Sequence, residues 1–408
     1  MRVVTLEQLT SVFRDLPPQP RVITSGNFAT PHQILSVLDA QVSEYTLHML
    51  NAHGPLPDRP GVTYETTFVG PGMRNHERLI YIPCRLSLVP VLFHEHYRPD
   101  VVLVHTSSRR HDTVSLGTEV NVLPAAIEAV RERGGIVVAQ ANAQMPYTYG
   151  DAQVYLHEID FLVEVDEPLT THEPGDLGDT ARAIGERIAA LVTDASTLQM
   201  GIGAVPDAVL AELTDRKGLR IWTEMFSDGV LGLHRAGALD PDIPITASFV
   251  FGSSDLYEWL HLNRGVQMLR TERTNDPAMI AKQARMTSVN AALQVDLLDQ
   301  ANASRVRGRI YSGFGGSTDF IVGALHSRGG QSFIALPSWH PKANVSTIVP
   351  LLTEPVTSLQ HSYVATEQGI AKIFGRSGQE QARNIIDQAA HPDAREFLEQ
   401  EGARLGLL

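Results

Sequence analysis

Short apolar runs alternate with amphipathic segments along this chain, and that alternation restricts the possible folds more than any other feature. The apolar runs are rich in β-branched residues and are bounded by Gly, Pro, Asp or Ser, as buried strands are. Strands that alternate with helices are typical of α/β folds with parallel sheets. The predicted strands are Arg21–Thr24, Val101–His105, Gly135–Ala139, Phe161–Val165, Thr197–Met200, Leu219–Thr223, Thr246–Phe251 and Ser332–Ala335, and the predicted helices are Leu123–Arg133, Asp179–Val192, Pro206–Leu213 and Asp276–Ala284.

The length of the chain predicts two domains. A chain of 408 residues is too long for one ordinary domain and fits two of about 200 residues each. The polar stretch from Glu167 to Asp176 is predicted to be a linker, so the predicted domains are residues 1–175 and 176–408. Each half has a Gly-bearing turn between a strand and a helix, Ser25–Pro31 and Gly201–Pro206. This parallel predicts two related open α/β lobes with the active site in the cleft between them.

Composition and charge exclude several classes of protein. The hydrophobic fraction of 43% is enough for full cores, yet no run approaches about 18 consecutive apolar residues, so we expect no membrane span. The first residues lack the apolar stretch of a signal peptide, and a cytoplasmic location is therefore expected. The net charge of −13 argues against nucleic acid as a partner, although it allows an anionic small molecule at a local positive site.

Metal and disulfide chemistry are not expected. The single cysteine, Cys84, excludes a disulfide framework and a Cys-based zinc cluster. His94-Glu95-His96 does not have the spacing of His-Glu-x-x-His, so no metal site is predicted there.

The segment Gly201–Val205 follows a predicted strand and precedes a predicted helix that has Pro206 in its first turn. Glycines before a helix N-terminus let the backbone approach a ligand and point free N–H groups at it. This pattern fits a phosphate, a pyrophosphate or an acyl oxygen. Close packing of a strand on a helix asks for the same residues, so the segment alone leaves both interpretations open.

A second segment places Glu224 at the end of an apolar strand, between Thr223 and Met225. Ligands of α/β sheets lie beyond the carboxyl ends of strands. Neighbouring Trp, Met and Phe side chains would partly desolvate this carboxylate and make it a better nucleophile or base. A turn or helix-capping carboxylate is the alternative interpretation.

A third segment, Gly313-Phe314-Gly315-Gly316, has three glycines in four positions. Such a sequence can form a nest of N–H donors that stabilises an oxyanion during acyl transfer. A purely structural glycine-rich turn is equally compatible with it.

The order of these segments resembles the acetyl-CoA hydrolase/transferase family of class I CoA-transferases, and within it the 4-hydroxybutyrate CoA-transferase branch. The resemblance runs over essentially the whole chain. The segments that carry it are Ser115–Gly117, Asn142–Pro146, Tyr149–Asp151, Gly201–Leu210, Thr223–Gly229, Gln294–Leu297, Gly313–Phe320 and Ala390–Asp393.

The resemblance implies an acyl-CoA:carboxylate CoA-transferase that works by a ping-pong mechanism. By motif, Glu224 attacks the acyl-CoA carbonyl to give a mixed anhydride and CoA thiolate, which then forms a glutamyl-CoA thioester. Asn275 is implied to orient this carboxylate, and Gly315 or Gly316 to donate to the oxyanion. The residues implied to contact CoA are Gly201, Ile202, Gly203, Ala204, Val205 and Gly313. No tightly bound cofactor is implied, since coenzyme A enters as the substrate acyl-CoA together with a small carboxylic acid, and a homodimer or larger homo-oligomer is expected.

Departures from the family pattern leave the acid substrate open. They lie in Ser107–Asp112, at Gly315-Gly316-Ser317, at Ser346-Thr347 and in Thr366–Gly369. Arg109 or Arg110 could pair with a second carboxylate on an unusual acid, whereas an exposed, solvated loop is the alternative. An acyl-CoA hydrolase that uses the same site, and a CoA-binding homologue without turnover, also remain compatible with the sequence.

Overall fold

The computed structural model describes residues 1–201, 203–354, 356 and 360–408. The chain divides into two compact units. The first comprises Met1–Glu173, Pro244–Thr274 and Ile310–Gly315, and the second comprises Pro174–Ile243, Asn275–Arg309 and Gly316–Leu408. Two segments that follow the predicted linker in the sequence therefore belong to the unit that begins the chain, and each unit is discontinuous in sequence.

The elements of residues 1–173 are eleven strands and four helices. The strands are β1 (Arg2–Val3), β2 (Arg21–Thr24), β3 (Tyr45–His48), β4 (Val62–Thr66), β5 (Leu79–Tyr81), β6 (Val101–Ser107), β7 (Thr113–Ser115), β8 (Ile136–Asn142), β9 (Tyr149–Gly150), β10 (Gln153–Tyr155) and β11 (Phe161–Val165). The helices are α1 (Leu6–Arg14), α2 (His32–Gln41), α3 (Val89–Glu95) and α4 (Leu123–Arg133), with 3₁₀ turns at Leu86–Leu88 and Leu156–Glu158.

Further strands and helices follow from residue 174 onward. The strands are β12 (Thr197–Met200), β13 (Arg220–Ile221), β14 (Met225–Phe226), β15 (Ile245–Ala247), β16 (Phe249–Val250), β17 (Val266–Met268), β18 (Met286–Ala291), β19 (Gln294–Asp296), β20 (Ala301–Asn302), β21 (Arg305–Val306), β22 (Arg309–Ile310), β23 (Gln331–Ala335), β24 (Trp339–His340), β25 (Val345–Ser346), β26 (Ile348–Val349), β27 (Tyr363–Ala365) and β28 (Ile370–Lys372). The helices are α5 (Gly178–Ala189), α6 (Ala204–Ala211), α7 (Asp228–Arg235), α8 (Ser254–Leu260), α9 (Thr271–Thr274), α10 (Pro277–Ile280), α11 (Ser317–His326), α12 (Gly378–Asn384) and α13 (Pro392–Arg404), with a π-helical turn at Ile385–Ala389.

The first unit is built on an eight-stranded sheet in the order β1-β11-β8-β6-β2-β3-β4-β5. Each neighbouring pair in it is parallel. All seven residues of β6 are buried, as expected for an inner strand of a parallel sheet that is covered on both faces. A hydrophobic core that includes Leu9 and Phe13 of α1 and Ile34 and Leu38 of α2 packs in this unit.

A small parallel sheet joins the later segment of the first unit to its first 173 residues. Its order is β15-β17-β9, in which Gln267 pairs with Tyr149 and Met268 with Gly150. These backbone pairs place residues 244–274 in the first unit, although they lie far along the chain from β9.

The second unit has a six-stranded sheet in the order β13-β12-β18-β23-β27-β28. The first five strands are parallel, and β28 runs antiparallel to β27. The carboxyl ends of β12, β13, β18, β23 and β27 therefore meet at one edge. Both units thus have the predicted α/β architecture based on parallel sheets.

Several predicted elements are confirmed to the residue, and others are corrected. Confirmed are Arg21–Thr24, Phe161–Val165, Thr197–Met200 and Leu123–Arg133, and the predicted linker contains neither helix nor strand between Val165 and Gly178. The strands predicted from Val101, Gly135 and Ser332 and the helix predicted from Asp179 are present with shifted ends, as β6, β8, β23 and α5.

The predicted strand Thr246–Phe251 is wrong as a single element. It is interrupted at Ser248, whose carbonyl accepts hydrogen bonds from the amides of Val120 and Asn121 and whose hydroxyl donates to the carbonyl of Leu269. Contacts to loops replace the strand ladder at that residue.

Three further elements have bounds that differ from the predicted ones. The strand predicted over Leu219–Thr223 is reduced to β13, and the helix predicted over Asp276–Ala284 is reduced to α10, after which residues 281–285 form turns that lead into β18. Helix α6 begins at Ala204 rather than at Pro206. Proline is tolerated there because the first turn of a helix does not need its N–H.

Candidate active site

Glu224 lies between β13 and β14, beyond the carboxyl end of β13. The hydroxyl of the preceding residue, Thr223, is 3.3 Å from the carbonyl oxygen of Met200 and 2.9 Å from that of Met225. This hydroxyl ties the turn that carries Glu224 to the end of β12. The carboxylate is thereby held at the carboxyl edge of the sheet, where ligands bind in α/β folds.

Asn275 is hydrogen-bonded to the Glu224 carboxylate. Its Nδ2 donates a hydrogen bond of 2.9 Å to Glu224 Oε2, and Asn275 is 0% exposed. The next residue, Asp276, is the N-cap of α10 and accepts a hydrogen bond from the amide of Ala278. The start of this short helix therefore fixes the backbone next to Asn275, and the implied role of Asn275 in orienting the carboxylate stays a prediction.

Gly316 lies against the same carboxylate. It is the N-cap of α11, and its carbonyl accepts the hydrogen bond of the Phe320 amide. A Cβ added at Gly316 would overlap both Glu224 Oε2 and Asn275 Nδ2. Glycine is therefore required here by the close approach of the carboxylate, and the N-terminal end of α11 lies beside an anion, which the helix dipole favours.

The electrostatics of the site raise the pKa of the Glu224 carboxyl well above its ordinary value. Burial raises the pKa of Glu224 to about 7, and the hydrogen bond from Asn275 opposes that shift. The negative charge of Asp319, in the first turn of α11, raises the pKa further. A carboxylate needs no general base to act as a nucleophile, so the ionised fraction is competent to attack a carbonyl.

The predicted CoA-contacting segment lies at the end of the neighbouring strand, β12. The amide of Gly201 donates to the carbonyl of Val289 on β18 at 3.3 Å. Gly203 is the N-cap of α6 with φ of 121°, a conformation that side chains other than glycine rarely adopt. Ala204 and Val205 form the first turn of α6, and Ile202 lies outside the described residues.

A hydrogen bond links the helix that follows this segment, α6, to the residue that follows β14. The Ser227 hydroxyl, which follows β14, donates to Asp207 Oδ1 in the first turn of α6 at 3.0 Å. Gly201 and Thr223 also line the same small internal space beside β12. The structure thus brings the Gly201–Val205 segment and Glu224 to adjacent strand ends of one sheet.

Gly313 and Gly315 belong to the first unit, whereas Gly316 belongs to the second. A Cβ at Gly313 would lie 2.7 Å from the carbonyl oxygen of Thr67, and Gly315 has φ of 56° and packs on the ring of Phe68. The carbonyl of Gly315 accepts a hydrogen bond of 3.0 Å from the Leu86 amide. Each of the three glycines thus has a local structural requirement, and the donor role of Gly315 or Gly316 stays a prediction.

Two features of the second unit are absent from the sequence-based predictions. One is the charge of Asp319, which is buried at the start of α11. The other is a buried polar network in which Gln199 Oε1 accepts from the Ser288 hydroxyl at 2.6 Å and from Asn290 Nδ2 at 3.2 Å. Polar residues at alternate positions of β18, and a glutamine within the apolar strand β12, are the signals that could have indicated the network.

The basic loop of the first unit is exposed. Arg109 is 41% exposed and pairs with Glu164 at 2.7 Å. The guanidinium of Arg110 lies 5.8 Å from the ring centre of Tyr147. These contacts fit the interpretation of a solvated loop and give no support to a role in pairing with substrate.

The described ranges contain neither a metal-binding cluster nor a membrane-spanning helix. Within them, no group of three or more His, Cys, Asp or Glu side chains is placed to hold a metal ion. No helix in the same part of the chain is both long and apolar enough to cross a bilayer.

Similarity to characterised proteins extends over most of the chain. Residues 252–402 match the model of the acetyl-CoA hydrolase/transferase C-terminal domain. The 4-hydroxybutyrate coenzyme A transferase of Clostridium kluyveri is 36% identical over 384 residues, covering 90% of this chain and 86% of that protein. The chain belongs to the acetyl-CoA hydrolase/transferase family. The family resemblance seen in the sequence is thereby confirmed.

Other members of the acetyl-CoA hydrolase/transferase family show the same extended similarity. The succinyl-CoA:acetate/propanoyl-CoA:succinate CoA transferase of Fasciola hepatica is 36% identical over 404 residues, covering 93% of this chain and 83% of that protein. The crystal structure of a 4-hydroxybutyrate CoA-transferase from Porphyromonas gingivalis superimposes with a TM-score of 0.83 at 31% identity, covering 99% of this chain and 98% of that one. The family fold is thus shared across the whole chain.

Proposed function

We propose that this protein is an acyl-CoA:carboxylate CoA-transferase in which Glu224 is the covalent nucleophile. The observation that carries the proposal is the fixed position of Glu224 Oε2 between the Asn275 amide and the N-cap residue Gly316. The names of its relatives, a 4-hydroxybutyrate coenzyme A transferase and a succinyl-CoA:acetate/propanoyl-CoA:succinate CoA transferase, support an acyl-CoA and a small carboxylic acid as substrates.

In the first half-reaction the Glu224 carboxylate attacks the carbonyl carbon of the acyl-CoA. The C–S bond breaks, and a mixed anhydride and CoA thiolate result. The thiolate then attacks the glutamyl carbonyl carbon, the anhydride C–O bond breaks, and the first acid leaves as its carboxylate. The net exchange converts an ionised Glu224 into a neutral glutamyl-CoA thioester and transfers its negative charge to the released acid.

Asn275 and the glycine segments would serve this chemistry in distinct ways. Asn275 holds one carboxylate oxygen, which leaves Glu224 Oε1 as the attacking atom. The Gly201–Val205 segment at the end of β12 would contact CoA, and an amide from it or from Gly315 or Gly316 would donate to the developing oxyanion. Preorganised donors of this kind cost no rearrangement during the reaction, which is why their loss lowers kcat strongly.

The acceptor acid distinguishes transfer from hydrolysis. A transferase consumes acyl-CoA in proportion to the acceptor acid and gives parallel double-reciprocal plots, whereas a hydrolase releases free CoA without an acceptor. We expect acetyl-CoA or butyryl-CoA to be consumed when a small acid is supplied. The E224Q variant, which cannot form the thioester, should be inactive.

The assay separates the alternatives. Rapid release of CoA in the absence of any acceptor would favour the hydrolase, and no turnover across a panel of acyl-CoAs and acids would favour a CoA-binding protein. Asn384→Ala is a suitable control variant for these assays. It also removes a side-chain amide, but one that donates its hydrogen bond to the carbonyl oxygen of Lys372 on β28 rather than to Glu224.

Assembly and location complete the proposal. The protein is proposed to act in the cytoplasm as a homodimer or larger homo-oligomer, without nucleic acid or membrane partners. Light scattering of the purified protein measures its mass in solution, and a mass of one chain would contradict the proposed assembly.

A further inference from the structure

A second carboxylate lies at the helix end that contacts Glu224. Asp319 is the third residue of α11 and is 0% exposed. The helix begins after Gly316, whose Cβ position is occupied by Glu224 Oε2. Because a helix rises about 1.5 Å per residue, Asp319 lies within one turn of that contact. Two carboxyl groups therefore share one end of α11.

This arrangement has opposing electrostatic effects on Glu224. The N-terminal end of a helix stabilises an anion, and so does the Asn275 hydrogen bond. A second negative charge in a site that water hardly reaches disfavours the ionised form of its neighbour. The groups that act on the Glu224 carboxyl are thus burial, the Asn275 amide, the end of α11 and the charge of Asp319.

We propose that Asp319 is a positioning residue that destabilises the free carboxylate of Glu224 relative to its neutral forms. On the proposed function, the neutral form of interest is the glutamyl-CoA thioester, so Asp319 favours the covalent intermediate. The upward influence of Asp319 on the pKa of Glu224 supports this assignment, because protonation also produces a neutral carboxyl.

The transfer step shows why the charge matters. Glu224 carboxylate and acyl-CoA give glutamyl-CoA thioester and the free acid carboxylate, so one negative charge leaves the site. Repulsion from Asp319 is therefore present before the exchange and absent after it. The same repulsion is relieved when Glu224 takes up a proton.

The two equilibria should respond to Asp319 by the same factor. A fall of one unit in the pKa of Glu224 corresponds to about tenfold less proton binding, and it should correspond to about tenfold less thioester at fixed substrate concentrations. A residue that merely maintained packing would not move both quantities by an equal factor.

The test compares wild-type protein with Asp319→Asn and Asp319→Ser. Titration of Glu224 by infrared difference spectroscopy, with the E224Q protein as the reference, gives its pKa without any assay of activity. Mass spectrometry of protein equilibrated with an acyl-CoA and its free acid gives the fraction of enzyme–CoA thioester, measured about two pH units above the pKa so that Glu224 is ionised in each protein. Asp179→Asn, an exposed first-turn aspartate of α5, is the matched control.

We expect both Asp319 variants to lower the pKa of Glu224 and the thioester equilibrium constant by equal factors, and Asp179→Asn to change neither. Folded Asp319 variants with an unchanged Glu224 titration would overturn the inference. A lowered pKa of Glu224 in variants of a protein that forms no thioester would support the electrostatic coupling and contradict the proposed function. Failure of the inference and failure of the proposed function are therefore distinguishable.

Discussion

Nδ2 of Asn275 lies 2.9 Å from Oε2 of Glu224, although the two residues are 51 positions apart in the sequence. The same oxygen occupies the space that a Cβ at Gly316 would fill. One carboxylate oxygen is thus fixed from two sides, and in the proposed mechanism the other oxygen attacks the acyl-CoA carbonyl. The reactivity proposed for Glu224 depends on this arrangement.

Replacing Gly316 by alanine should displace the carboxylate while leaving the protein folded. The new methyl group would overlap Glu224 Oε2, and a misplacement of about 1 Å at a reacting group lowers the rate roughly 100-fold. Gly232→Ala in α7 is the control, because a Cβ there meets nothing within 4 Å. Steady-state kcat and thermal unfolding of the two variants would check the prediction, and equal kcat values would contradict it.

Replacing Asn275 by alanine should shift the pH profile of the reaction. In the wild-type protein, the hydrogen bond from Asn275 lowers the pKa of Glu224. Without it, the pKa should rise above about 7, and the acidic limb of the pH–rate profile should move to higher pH. A hydrogen bond to a charged group contributes about 1.5–3 kcal/mol, which corresponds to a tenfold to hundredfold loss of rate near neutral pH. An acidic limb that stays in place, in this variant as in the Asn384→Ala control, would show that Asn275 does not act on Glu224.

The free energy of unfolding of the protein should depend on pH because of the Glu224 carboxyl. Its pKa is about 7 in the folded state and has an ordinary value of 4.5, so the folded state binds the proton more tightly. The bound proton therefore stabilises the folded state by about 3 kcal/mol. This contribution to the free energy of unfolding is fully present when the pH is below the ordinary pKa, and it is lost as the pH rises through 7. The E224Q variant should therefore gain stability relative to wild type between pH 4.5 and 8.5 in urea titrations. A difference in unfolding free energy that is constant with pH would rule this out.

A buried carboxyl in the first unit should be important for folding. Glu119 is 2% exposed, and its Oε1 accepts hydrogen bonds from the Gly26 amide and from the side-chain amides of Asn27 and Asn121. Glu119→Ala leaves three buried donors unpaired, which should lower the unfolding free energy by about 3 kcal/mol or more. Glu119→Gln retains an acceptor and should cost less, and the exposed Glu95→Ala should be neutral. Equal unfolding free energies for the alanine and glutamine variants would contradict this role.

Local sequence signals predict well the strands and helices whose ends are marked by turn-forming residues. β2, β11 and β12 match their predicted bounds because Gly, Pro, Ser or Asp flank each apolar run, and α4 matches because Pro124 lies in its first turn and Gly134 follows its last residue. β18 is not among the predicted strands, although it lies inside the sheet of the second unit. In the sequence alone, the polar residues Ser288 and Asn290 of β18 have the character of surface residues. Their hydrogen bonds to Gln199 form when the fold makes β12 and β18 neighbours. A tertiary contact of this kind has no local signal.

The candidate site also has one part that the sequence predicts and one part that it does not. Glu224, Asn275 and Gly316 are each identifiable by motif, and the structure brings these three together in the second unit. The influence of Asp319 could not be predicted, because a charge acts strongly on a neighbour when the fold removes both from water.

The most direct test of the proposed mechanism is to trap the covalent intermediate. The protein is incubated with acetyl-CoA or butyryl-CoA, treated with borohydride and analysed by peptide mass spectrometry. The proposed mechanism predicts a reduced Glu224 that is absent without acyl-CoA and absent in the E224Q variant. An unmodified Glu224 in protein that turns over acyl-CoA would contradict its role as the nucleophile.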